Sequence, residues 1–340
     1  MKILILGGTR FLGRHLAQQA LDAGHHVTLL HRGLSGPGLF PQAKHRIADR
    51  DADIAAALAG GSWDAAIDTS AYFPRQVRSA AAALAGRVGQ YQLVSTISVY
   101  ASFDAPTTTE DAPLQTLADV EAQTTVAGAN YGGLKALCEA AAQAAFGTRC
   151  LVSRPGLLVG PFDPTGRFTW WAQRFLRAAA GDAEVLAPGT PDAPMQCIDC
   201  RDAAAWMLRQ AESGGGGVFN LSGPEQATTM GELMAAAQRA LAPASQLLWV
   251  DEDFLLAQGV APWSDLPVWL PAAQAGLHRC NIDRALATGL RCRPLAQTLA
   301  DTATWAASAP PPPELGGPLR PPVGLAPERE TALRDAWRAR

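Results

Sequence analysis

No stretch of the sequence stays apolar for anything near the twenty or so residues that a membrane-spanning helix needs, so no membrane partner is expected. Charge is scarce as well. Charged residues make up 17% of the chain and the net charge is −3, which leaves no basic stripe to hold nucleic acid or an anionic surface. The six cysteines are scattered, and the six histidines, at 15, 25, 26, 31, 45 and 278, have no metal-ligand spacing, so no metal is expected. Cys197 and Cys200 form a lone C-x-x-C with no second pair to complete a tetrahedral zinc site. They lie in an apolar segment ahead of a helix starting near Asp202 and read as small hydrophobes. No internal repeat is visible, residues 2–6 read as a strand so that no signal peptide is expected, and the expected location is the cytoplasm, with reduced thiols.

What is present is enough apolar material, 48% of 340 residues, for one large or two modest domains. The N-terminal KILILGGTRFLG sets the organisation. Ile3, Leu4, Ile5 and Leu6 form the short continuous apolar run of a strand buried on both faces, and Gly7-Gly8 ends it. Leu12, Leu16, Ala20 and Leu21 recur at helical spacing, Gly24 stops the helix, and 27–30 reads as the next strand. Glycines at such a strand-to-helix turn let the backbone approach a pyrophosphate, whose charge the helix N-terminus favours.

The alternation continues, with strands predicted at 45–48, 65–68, 91–95 and 150–153 and helices at 51–58, 74–84 and 131–146. A loop rich in Thr, Asp and Pro covers 103–129. The expected fold class is therefore α/β, a doubly wound parallel sheet with ligands beyond the carboxyl ends of its strands. From about residue 156 the pattern loosens, although 195–198 and 218–221 read as buried strands that return to the sheet. The expected division is 1–155, joined again by 195–222, for the nucleotide-binding domain and 156–309 for a smaller, partly interleaved substrate region. A spacer at Pro310 to Pro313 and a terminal helix at 327–337 complete 310–340. Gly214 to Gly217 reads as a flexible connection, and Thr229-Met230-Gly231-Glu232 as a capping box.

Tyr131 and Lys135 stand four apart in NYGGLKALCEAA, on one face of a helix. An ammonium near a phenol favours the phenolate, so Lys135 is expected to lower the Tyr131 pKa. The end of the preceding strand, STISVY, offers Ser95, Thr96 and Ser98 as hydroxyl partners for a substrate oxygen, although Ser95 and Ser98 can equally satisfy backbone groups there.

Together, GGTRFLG, STISVY, YGGLK and the later RPGLLVGP resemble an extended or atypical short-chain dehydrogenase/reductase, of the NAD-dependent epimerase/dehydratase kind. The motifs fall in order over roughly 1–160, and weaker similarity in CIDCRDAAAWM and FNLSGPE continues to about Trp305. The resemblance implies a Rossmann-type fold, Tyr131 as general acid/base, Lys135 on the nicotinamide ribose, and Thr96, four residues before Tyr100, as the catalytic hydroxyl. It implies a cofactor site of Gly7, Gly8, Thr9, Arg10, Phe11, Leu12, Gly13, Ser95, Lys135 and the Pro155-Gly156 turn. Asp49 is where relatives contact adenine, or else a cap for the next helix. A homodimer through the helices flanking the sheet is also suggested.

Two departures bear on the cofactor. Arg10 replaces the middle glycine of G-x-x-G-x-x-G, and the second strand ends in His31-Arg32 where NAD-preferring relatives carry an acid. Arg32 can pair with a 2′-phosphate, so NADP(H) is expected over NAD(H). For the substrate the sequence offers Tyr72, Phe73, Arg75, Arg167, Trp170, Trp171, Trp263 and Trp269, aromatics beside arginine that suit an aromatic or glycosyl compound or simply pack a core. Trp170 and Trp171 are preferred to Trp269. The leading expectation is an NADP(H)-dependent oxidoreductase acting on a carbonyl, alcohol or enone of a small metabolite. The alternative is a nucleotide-sugar epimerase or dehydratase with tightly held NAD. A non-catalytic cofactor-sensing or RNA-binding relative is the alternative of another class.

Overall fold

The computed structural model describes residues 1–36, 38–118, 123–308 and 323–340. Seven parallel strands form the central sheet: β1 (Lys2–Leu6), β2 (His26–His31), β3 (Lys44–Ile47), β4 (Trp63–Asp68), β5 (Val88–Val94), β6 (Cys150–Pro155) and β7 (Gly217–Leu221). Their order across the sheet is β7-β6-β5-β4-β1-β2-β3, reversing direction of growth at β1 and β4. Leu6 pairs with Leu30 and with Asp68, Asp68 with Leu93, and Val94 with Ser153, so the carboxyl ends form one level rim. Such a reversal is where a doubly wound sheet opens a crevice for ligands.

The period-two alternation of β1 decides the layers. Ile3 and Ile5 point to one face, against Leu12 and Leu16 of α1 (Phe11–Asp22) and Ala203 and Met207 of a later helix, Cys200–Ser213. Leu4 and Leu6 point to the other, against Val77 and Leu84 of α2 (Pro74–Leu84) and Cys138 and Phe146 of α3 (Gly128–Phe146). All four strand residues are fully buried, which is why the run is continuously apolar.

A separate core lies in the C-terminal part, where α4 (Arg167–Ala179) supplies Phe168, Trp170, Trp171 and Phe175 against Leu233, Leu299 and Leu333. The expected return to the sheet is only partly found. The 218–221 strand is β7, but 195–198 is broken: Pro194–Met195 pairs with Thr228–Thr229, and Ile198–Asp199 with Leu158–Val159. Cys197 instead donates its N–H to the Gly223 carbonyl, and the next helix begins at Cys200. Both thiols are free and buried, and burial pushes them up, so they pack as expected for small hydrophobes. Gly214 caps the helix C-terminus with a left-handed φ, and the Thr229–Glu232 capping box forms.

The terminal helix, α5 (Pro327–Arg338), is no appendage. Its fully buried Glu330 pairs with fully buried Arg174 at 2.6 Å, and Leu333 enters the C-terminal core. The predicted spacer at Pro310 to Pro313 lies outside the described residues. On this packing we propose a division near 155/156, with residues 200–222 returning to the sheet domain and 327–338 joining the C-terminal unit. No helix among the described residues is long and apolar enough to cross a membrane.

Candidate active site

The turn after β1 has the shape a dinucleotide needs. Gly7 (φ +114°) and Gly8 (φ +95°) are left-handed, and a Cβ on Gly7 would come to 2.3 Å of the Thr69 hydroxyl. Gly13 lets α1 press on the turn, since its Cβ would lie 2.6 Å from the Gly8 nitrogen. Arg10 is the exposed N-cap residue, and its side chain does not cap the helix, leaving first-turn N–H groups to a ligand. Thr9 and Phe11 are half-buried beside it, whereas Leu12 is buried in the core. The residues present fit a dinucleotide pyrophosphate.

At the end of β2 the structure separates two residues that the sequence offered together. Arg32 is exposed. His31 is buried, its Nδ1 accepting the Gly33 N–H at 3.1 Å and its Nε2 facing His45 Nδ1 at 2.8 Å. With both ring nitrogens engaged, His31 braces the loop that follows β2. Asp49 accepts the Asp51 N–H at 3.0 Å, the capping alternative, although it caps a turn ahead of the helix Ile54–Ala57 and not the helix itself.

The candidate reaction residues meet on the rim between β5 and α3. Thr96 opens a tight 3-10 turn, Ile97–Val99, and its hydroxyl accepts the Ser98 N–H at 3.1 Å and donates to Ser98 Oγ at 3.2 Å. The Tyr131 phenol lies beside the Thr96 hydroxyl, near enough for that hydroxyl to favour the phenolate. Gly132 makes this approach feasible, because a Cβ there would fall 2.1 Å from the Ser98 carbonyl oxygen. Gln115 braces the same turn, donating to Ser98 O at 2.9 Å and Tyr100 O at 3.3 Å.

Lys135 departs from expectation. Its buried ammonium donates to the main-chain carbonyls of Ala71 (2.7 Å) and Val94 (2.5 Å), while burial lowers its pKa. Tyr131 is not held down by it. Burial, then the neighbouring Tyr72, push the phenol up to about 12, against an opposing pull from the nearby Thr96 hydroxyl. Spacing of four on a helix therefore placed the two residues one turn apart without placing the ammonium on the phenol.

Ser95 faces the interior. Its hydroxyl donates to Glu139 Oε1 at 2.5 Å, and Glu139 is gripped by Arg154, with Nη2 to Oε2 at 2.6 Å, inside the protein. Pro155 and Gly156 follow at the end of β6, where Gly156 donates to Leu221 O and fits tightly against Ser222, whose buried hydroxyl has no partner among the described residues. Neither Glu139–Arg154 nor the buried Arg50–Asp68 pair was read from the sequence. For Glu139, Arg154 and Asp68 the signal was a charge inside an apolar segment, ALCEAAA, LVSRPG and AAIDTSA, whereas Arg50, in the charged IADRDAD, carried none.

Of the substrate candidates, Trp170 and Trp171 are core residues, Trp171 donating to Pro267 O at 2.6 Å. Phe73 is buried under the Arg75 guanidinium, 4.0 Å from its ring centre, and Trp269 is buried too. A helix of period 3.6 has to turn its bulkiest side chains inward, which is what the C-terminal core required. Tyr72 remains exposed near Tyr131, while Arg167 stacks on the half-buried Trp263 at 5.6 Å.

Known structures share this architecture. A Burkholderia cenocepacia J2315 protein, whose own epimerase assignment is provisional, aligns with a TM-score of 0.70 at 20% identity, over 91% of this chain and 98% of that one. The UDP-glucuronic acid 4-epimerase of Bacillus cereus, solved with NAD, aligns at 0.65 and 14%, over 93% and 99%. An NAD-dependent NDP-hexosamine 5,6-dehydratase of tunicamycin biosynthesis aligns at 0.64 and 17%, over 91% and 99%. At these identities the likeness shows the Rossmann-type fold. No curated protein sequence matches the chain. A sequence model of the NAD dependent epimerase/dehydratase family, however, matches residues 3–222, spanning the glycine turn, Thr96, Tyr131 and Lys135, and the chain belongs to that family of enzymes.

Proposed function

We propose that this protein is an NAD(P)-dependent epimerase or dehydratase acting on a nucleotide sugar. The observation that carries the reading is the meeting of Tyr131 and Thr96, where α3 presses on the turn after β5, at the rim of the parallel sheet that also bears the glycine turn. As the phenol Tyr131 can donate its proton to a substrate oxygen, and the phenolate left behind can take a proton back from a substrate hydroxyl, Tyr131 acting as acid/base and Thr96 as the group that orients the oxygen. When bound, the dinucleotide supplies a reversible hydride acceptor. Lys135, beneath the same rim, is the residue assigned to the nicotinamide ribose. The sugar-nucleotide class is supported by family membership and by the enzymes of similar fold, which act on UDP- and NDP-sugars.

Arg32 supports a second reading, an NADP(H)-dependent oxidoreductase of a carbonyl, alcohol or enone, because a cation and no acid is exposed at the end of β2. The deciding experiment identifies nucleotide released from the purified protein on denaturation, then supplies UDP-glucose and follows conversion to UDP-galactose or loss of water. Retained NAD with sugar turnover supports the first reading. Binding of NADPH with net oxidation of the cofactor by carbonyl compounds, and no sugar turnover, supports the second. Failure to bind either cofactor would leave the non-catalytic alternative. Cytoplasmic location and a homodimer stay proposals; the latter falls on the alanine-rich surface of α2 and α3, lined by Arg78, Ala81, Leu137, Ala141 and Ala145, and sedimentation equilibrium tests it.

A further inference from the structure

We propose that Tyr72 is a substrate-contacting specificity residue, its ring forming the wall of the reaction site against which the sugar ring of a nucleotide sugar stacks. The proposal rests on the nucleotide-sugar reading above and names the group that recognises the reacting ring.

Tyr72 follows β4 on the rim, 45% exposed, the one aromatic among the large hydrophobic side chains left at the surface of the described residues. Its position is set by its backbone. The Tyr72 and Phe73 N–H groups both donate to Gln76 Oε1, at 2.9 and 3.2 Å, and Gln76 Nε2 is tied to both Asp51 oxygens at 3.0 and 2.8 Å. The ring is thereby held beside the reaction residues: its centre lies 6.4 Å from that of Tyr131, the planes inclined at 42°, and Lys135 Nζ lies 5.7 Å from it. Its own hydroxyl has no hydrogen-bond partner among the described residues. Whatever part of a substrate exchanges a proton with Tyr131 has to sit beside Tyr72. In a nucleotide sugar that part is the hexose, whose face of axial C–H groups suits an aromatic ring, while the nucleotide extends away. A half-exposed ring stacks at little cost, since it gives up water it holds poorly.

The test is isothermal titration of the cofactor-loaded protein with UDP-glucose and, separately, with UDP, which lacks the sugar. Stacking of this kind corresponds to about a tenfold loss of UDP-glucose affinity in Tyr72→Ala and in Tyr72→Leu, with UDP binding unchanged and Tyr72→Phe close to the parent. Tyr72→Leu keeps apolar bulk and decides the matter where the alanine variant fails to fold. Unchanged UDP-glucose affinity in either folded variant, or equal losses for UDP and UDP-glucose, overturns the proposal. If the parent protein binds neither ligand, the nucleotide-sugar reading itself fails and the stacking role fails with it.

Discussion

Arg154 and Glu139 face each other across the boundary between β6 and α3, Nη2 to Oε2 at 2.6 Å, each almost completely buried, and Glu139 accepts the Ser95 hydroxyl as well. The Arg154 guanidinium also donates to the Tyr100 hydroxyl at 3.1 Å, and Tyr100 donates to Asn220 Oδ1 at 2.5 Å. A buried charge that loses its partner is costly because no water replaces it. Glu139→Ala is expected to lower stability by about 3–5 kcal/mol, read from the urea unfolding midpoint. An unchanged midpoint would remove this network as an anchor of the β5 rim.

Gly132→Ala tests whether α3 has to press on the Thr96 turn. The added methyl meets the Ser98 carbonyl at 2.1 Å, which neither backbone can relieve without separating Tyr131 from Thr96. Turnover is expected to fall by about 100-fold or more, in line with losing positioned acid/base chemistry. Gly128→Ala, with open space around its Cβ, serves as the control and should leave turnover unchanged.

Tyr131→Phe removes the reacting proton and little else. Turnover is expected to drop by about 10²–10⁴-fold while cofactor affinity, measured by fluorescence titration, stays within error. Substantial activity in this variant would sink the assignment of Tyr131 as acid/base.

Arg32→Ala addresses the cofactor. If Arg32 pairs with a 2′-phosphate, NADPH affinity is expected to fall by about tenfold or more, the scale of a charge-assisted hydrogen bond, with NADH affinity unaffected. Equal affinity of the parent for both cofactors, untouched by the substitution, would place Arg32 among ordinary solvated surface charges.

Stability should decline on acidification through histidine. His278 is buried, its Nδ1 accepting the Gln196 N–H and its Nε2 donating to Val268 O, both at 3.0 Å, and burial holds its pKa below the usual 6.5. A second proton would have to occupy Nδ1, which already faces a donor. A lowered folded-state pKa means that the unfolded chain binds the proton more readily, so the contribution is complete above about pH 6.5 and is lost as pH falls from there. His15, lowered for the same reason of burial, adds to the trend. The melting temperature is expected to fall between pH 7 and pH 5, with a shallower slope in His278→Gln. An identical slope would exclude His278 as the titrating group.

Sequence alone determined the parts of this protein that depend on near neighbours in the chain. Continuous burial of Ile3 to Leu6, glycines where the backbone turns left-handed, alternation of strand and helix, and the Thr229–Glu232 cap are local patterns with one physical reading each, and all were legible. Contacts between distant segments decided the rest. Trp170 and Trp171 looked like site aromatics until α5 and the C-terminal core enclosed them, and His31 stood with Arg32 at the cofactor end of β2 until His45 took its Nε2. Ser95 was claimed by Glu139, and the Lys135 ammonium went to the carbonyls of Ala71 and Val94, not to the phenol one turn away. Helical and strand periods are properties of the backbone and can be read in order. A polar group in a low-dielectric interior, by contrast, takes whichever partner the packing brings within about 3 Å, and only the tertiary structure says which that is.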